Sequence, residues 1–93
     1  MIEQVIEAID MWVQEIYTSD QNKLSERYVA FLDAVSSFLT EMAQQGYQVD
    51  MERDLITLQG LVQKKDYIAV ADLLLYEIKT DFLQLQDNLK AES

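Results

Sequence analysis

The chain has 93 residues, 49% of them hydrophobic, with no proline, no cysteine, and glycine only at Gly46 and Gly60. One small domain over residues 1–93 accounts for that length, and so few turn-forming residues favour helices over a turn-rich β fold. A formal net charge of −10 speaks against nucleic acid or an anionic membrane face as partner, because phosphates call for a basic stripe, and the lack of cysteine excludes disulfides, thiolate metal sites and cysteine nucleophiles.

Ile2, Val5, Ile9, Trp12 and Ile16 alternate steps of three and four, the spacing of a helix that buries one face, and Ile6 and Val13 widen that face. Over residues 1–22 the same stretch carries Glu3, Glu7, Asp10, Glu15 and Asp20 with no lysine or arginine. Thr18-Ser19-Asp20 offers cap oxygens where the apolar spacing stops, and Gln21, three residues after Thr18, completes a capping-box pattern. A second helix follows from Leu24, Tyr28, Phe31, Val35, Phe38 and Met42, widened by Leu32 and Leu39. Gly46, after Gln44-Gln45, stands where a helix ends in left-handed backbone.

A shorter third helix takes Met51, Leu55, Leu58 and Val62, with Asp50 as its cap. Gly60 inside it lowers helix propensity by about 1 kcal/mol relative to alanine, so either the helix frays there or a neighbouring backbone comes close. The fourth helix starts from an Asp66 cap and carries Ile68, Ala71, Leu75, Ile78, Phe82, Leu85 and Leu89. No alternation of period two persists, so strands are not expected. Short connections make consecutive helices antiparallel neighbours, which predicts an all-α, up-down antiparallel bundle of four helices with a short third helix. The variant of that arrangement has three long helices with the third as an irregular arm.

Apolar clusters such as Leu73-Leu74-Leu75 are far shorter than the roughly 20 residues of a membrane-spanning helix. No basic segment followed by an apolar core and a cleavage site opens the chain, so a soluble cytoplasmic protein is expected.

Catalytic and metal-binding patterns are sparse. Glu3 with Glu7, and Glu77 with Asp81, stand four apart and so share a helix face, but a di-iron bundle needs Glu-x-x-His on two of its helices, histidine is absent, and both pairs lie off the apolar seams. Residues 20–31 begin like a calcium loop with Asp20 and Asn22, then place Ser25 where the loop needs glycine and Phe31 where it needs glutamate. Without histidine or cysteine no Ser-His-Asp or Cys-His arrangement assembles, and no glycine-rich phosphate loop is present. Lys64, Lys65 and Asp72 remain, but nothing positions them, so neither an enzyme, a metal nor a cofactor is expected. Trp12, Phe31, Phe38 and Phe82 sit on apolar helix faces and read as core, with Trp12 weighed also as a partner anchor.

One set of apolar residues is left over. At 100° per residue the seam of the fourth helix centres on Ala71, while Leu73, Tyr76 and Leu83, with Ala69 and Thr80 between them, fall on the opposite face. A helix that is apolar on two sides is either central in its bundle or presents one side to something else, including a second copy. Leu73, Tyr76 and Leu83 are therefore the expected interface.

Lys65-Asp66-Tyr67, then Ala71-Asp72-Leu73-Leu74 and Tyr76-Glu77, resemble the C-terminal signature of small, uncharacterised helical-bundle proteins of Gram-positive bacteria. The resemblance covers about a quarter of the chain and implies an all-helical cytoplasmic protein without known catalytic residues.

The expected function is a non-catalytic protein-binding bundle, adaptor or chaperone-like, that binds a protein partner or itself as a homodimer. The alternative is an acidic inhibitor that imitates nucleic acid and blocks a DNA-binding protein, motivated by the charge of residues 1–22.

Overall fold

The computed structural model describes residues 2–18 and 24–92, apart from the side chains of Ser25 and Glu92. Helix α1 spans Ile2–Tyr17, α2 Leu24–Gln44 and α3 Glu52–Gln63; α4 (Tyr67–Leu73) continues through a π-helical turn (Leu74–Ile78) into α5 (Lys79–Glu92), and these three pieces form one fourth helix. The described residues contain no strand, so the molecule is an all-α bundle of four helices with a short third one.

The four apolar seams meet in one core. Trp12 of α1 is fully buried, its ring centroid 5.3 Å from Tyr28 and 5.7 Å from Phe31 of α2. Phe38 of α2 meets Phe82 of α5 edge-on at 5.2 Å. Such ring pairs add about 0.5–1.5 kcal/mol each beyond the burial of their area. Trp12 is thus core rather than an exposed anchor, although its indole N–H has no hydrogen-bond partner among the described residues.

Polar contacts at the edge of this core set helix directions. Arg27 near the start of α2 pairs with Glu15 near the end of α1 at 3.2 Å. Lys79 reaches Asp10 at 2.8 Å, and the Gln86 amide donates to Glu3 at 3.3 Å. Residue numbers therefore fall along α1 as they rise along α5, and the two helices run in opposite directions. Both ion pairs are partly exposed; pairs of that kind contribute about 0–1 kcal/mol, so they fix register more than they stabilise.

Two of the helix ends are closed by the same backbone motif. After α2, Tyr47 N–H donates to the Met42 carbonyl at 2.9 Å and Gly46 N–H to Ala43 at 3.1 Å, with Gly46 at φ +87° as expected. After α3, Asp66 N–H donates to Leu61 at 3.1 Å and Lys65 N–H to Val62 at 3.0 Å, and the left-handed position is filled by Lys65 at φ 58°. A lysine there carries the Cβ strain that glycine avoids, and nothing in the periodicity marks it.

Caps depart from expectation in two places. The Thr18 hydroxyl donates to the Glu15 carbonyl at 3.2 Å, closing α1 instead of opening α2, while Gln21 lies outside the described residues. Asp50 accepts from Glu52 N–H at 3.1 Å from one residue before the helix boundary at Met51. Asp66 caps α4 as expected, accepting from Ala69 N–H at 3.3 Å. Neither reading of Gly60 holds: α3 runs on to Gln63, and a Cβ built at Gly60 would meet nothing within 4 Å.

The fourth helix differs most from its one-seam reading. In its π turn Lys79 N–H donates to the Leu74 carbonyl, five residues back. Such a turn holds one residue more than an α turn, which rotates everything beyond it by roughly 100°. Before the turn the helix lies against both α3 and α1, and Val70, Ala71 and Leu73 are all buried, as are Leu74 and Ile78 at the two ends of the turn. Beyond it burial narrows to Phe82, with Leu85 and Leu89 half covered. Ile68, expected in the seam, is 62% exposed.

Candidate protein-binding site

The π turn also splits the expected interface. Leu73 keeps only 9% of its surface in contact with solvent and belongs to the core, whereas Tyr76 is 74% and Leu83 42% exposed. In an uninterrupted α-helix these three side chains share a stripe; Leu73 instead lies on the stretch packed against both α3 and α1, and the extra residue accommodated between Leu74 and Ile78 rotates Leu83 away from its line. Exposed Asp72, Glu77, Thr80 and Asp87 surround what remains. Two separated apolar side chains among charges are ordinary protein surface.

A larger apolar surface lies elsewhere. The backbone of α1 approaches α2 closely and that of α3 approaches α4, but no comparable approach joins α2 to α3. Between them runs a groove of about 630 Å³, lined by Tyr28, Leu32 and Leu39 of α2, Val49 and Met51 of the connection, and Leu55, Ile56 and Gln59 of α3, with Asp50 and Glu52 at its edge. It continues past Leu39 into a second hollow of about 620 Å³ lined by Ala43, Tyr47 and Gln48. Ile56 is 61% exposed although it stands among half-buried apolar neighbours. From Tyr28 to Ala43 the α2 wall extends for about 22 Å at 1.5 Å per residue.

Helix spacing explains this wall. Tyr28, Leu32, Leu39 and Ala43 recur at steps of four, seven and four, so they share a stripe beside the fully packed Phe31, Val35, Phe38 and Met42 row. On α3, Leu55 and Ile56 stand beside the buried Leu58. Both helices thus carry a wider apolar face than one packing partner covers. Leu32 and Leu39 signalled this in the sequence as residues that widen a seam, but one helix wheel does not say which flank stays open.

The ionisable groups are not gathered into a reactive centre. Among the described residues no polar or charged side chain is fully buried, and no group of three or more acids has metal-binding geometry. Glu3, Glu7, Glu77 and Asp81 are exposed. The Glu3 carboxyl is held below the ordinary glutamate range, chiefly by its own backbone amide N–H, as suits an acid in a helix's first turn. A small cavity of about 70 Å³ lies beside Met51, Ile78, Phe82 and Leu85, with Asp50, Asp54 and Asp81 in its lining. It has room for a few waters and falls far below the roughly 300 Å³ of the smallest ligand pockets. Lys64 and Lys65 sit in the turn after α3 and Asp72 on the exposed side of α4, so the three do not share a pocket.

No helix among the described residues is long and apolar enough to cross a membrane. No protein-family model, curated protein or solved structure matches this chain.

Proposed function

We propose that this protein is a non-catalytic, protein-binding helical bundle, an adaptor or chaperone-like module of the cytoplasm, and that it binds through the α2–α3 groove. The observation that carries this reading is the groove itself: a continuous, largely apolar surface between two helices, beside the rows through which each packs into the core. An open trough of this length suits an elongated partner laid along it, because a small ligand would keep too much of its own surface in water. A sequence without histidine or cysteine, and ionisable side chains that keep contact with solvent among the described residues, support the non-catalytic part, since general acids and bases are tuned by burial.

The acidic-mimic reading draws on residues 1–22. Of their acids, Asp10 is met by Lys79 and Glu15 by Arg27, which reduces the free array such a mimic would display. Asp20 lies outside the described residues.

The test is capture of binding proteins from cell lysate by the tagged chain and by its Ile56→Asp and Tyr76→Asp variants, both at exposed positions where folding should survive. Loss with Ile56→Asp alone is expected. Loss with Tyr76→Asp alone would move the binding face to the fourth helix and favour self-association there, and unchanged capture by both would refute the groove.

A further inference from the structure

Resting on the reading of the groove as the binding face, we infer that its occupant is a basic amphipathic helix of a partner protein, not a second copy of this chain. Length and shape come first. The α2 wall from Tyr28 to Ala43 accommodates about four helical turns, and the floor offers apolar contacts spaced along one line, as a helix with anchors at every third or fourth residue requires.

Charge then selects the partner. Over residues 28–59 the chain carries Asp33, Glu41, Asp50, Glu52 and Asp54 against Arg53 alone. Of these, Asp50 and Glu52 border the groove itself, and Arg53 stands at its far edge beside Ile56 and Thr57. Asp50 spends one carboxylate oxygen on Glu52 N–H and keeps its other oxygen for a donor; no described side chain neutralises Glu52. A helix with lysine or arginine flanking its apolar anchors would meet these carboxylates as it docks. The remaining field acts in the same direction: a formal net charge of −10 draws a cationic partner in and repels an anionic one.

The same charges disfavour self-association at this face. Two copies docked groove to groove would bring both acidic borders together, and α1, α2 and the fourth helix, the longest this chain could insert, each carry more acids than bases. Like charges across a contact act as a repulsive element against the wrong partner.

The experiment uses two synthetic peptides of about fifteen residues, matched to the wall length. Both carry leucine anchors at helical spacing; one has lysine at its flanking positions and the other glutamate. Each is titrated into the ¹⁵N-labelled full chain, with backbone amide shifts read by NMR and affinities by calorimetry at low and moderate salt. The lysine peptide should shift amides of Leu32, Leu39, Leu55 and Ile56, bind less tightly as salt rises, and lose at least about tenfold in affinity to Ile56→Asp. The exposed Tyr76→Asp change should leave its affinity unaltered.

Equal binding of both peptides in the groove would overturn the basic partner and leave the groove's binding role standing. Shifts spread evenly over the acids of α1 and α5, with Ile56→Asp silent, would show surface adsorption and overturn the inference. If neither peptide shifts the groove, inference and function fall together. Concentration-dependent shifts in the groove without peptide would seat a second copy there, and overturn the inference alone.

Discussion

Exchanging each glycine for alanine should change stability in opposite directions, although a Cβ at either position has open space. At Gly60 the backbone is helical inside α3, and a Cβ meets nothing within 4 Å, so no packing term offsets helix propensity. Gly60→Ala should then stabilise by about 0.8–1.0 kcal/mol. At Gly46 the surroundings are equally empty but φ is +87°, where a side chain clashes with its own backbone. Gly46→Ala should destabilise by about 1–2 kcal/mol. For a chain of 93 residues, each kcal/mol moves the melting temperature by about 4–8 °C. Thermal and urea unfolding followed by circular dichroism at 222 nm reads both changes, and an unaltered urea slope confirms that the unfolded surface is the same. A neutral or destabilising Gly60→Ala would mean that α3 does not run through this position unobstructed. A neutral Gly46→Ala would remove the left-handed end of α2.

Lys65→Gly should stabilise by about 0.5–1 kcal/mol, because it relieves the left-handed lysine at the end of α3; the same unfolding assay checks the sign. Asp66→Ala should cost about 1 kcal/mol by leaving the Ala69 amide without its cap, and asparagine at this site should recover most of it. Trp12, the sole tryptophan, is fully enclosed, so its fluorescence should be blue-shifted and insensitive to iodide until the chain unfolds; ready quenching in the native state would contradict that burial. Phe38→Ala removes a buried ring that meets Phe82 and should cost about 3–5 kcal/mol, a large share of the roughly 5–15 kcal/mol that holds a domain together; loss of a cooperative melt, or a melting point lowered by well over ten degrees, is the expected reading.

Local chemistry in the sequence was enough for the helices and for two of their ends. Three-and-four spacing placed the four helices and named Val5, Ile9, Trp12, Phe31, Phe38 and Phe82 as core, because a helix that buries one face must repeat its apolar residues with the helical period. Gly46 and Asp66 marked their boundaries for reasons internal to a few residues: a backbone free of Cβ strain and a carboxylate within reach of unpaired amides.

Tertiary structure decided what depends on neighbours several helices apart. A helix wheel assumes 100° per residue throughout and carries no neighbours, so it could foresee neither that α3 and α1 together enclose Leu73 nor the π turn that parts it from Leu83. Lysine, a residue with no preference for left-handed backbone, ends α3 because the turn into α4 imposes that geometry. The groove is likewise invisible along the chain. Tyr28, Leu32, Leu39, Leu55 and Ile56 are apolar in the sequence whether covered or not, and only the distance kept between α2 and α3 leaves them open to a partner.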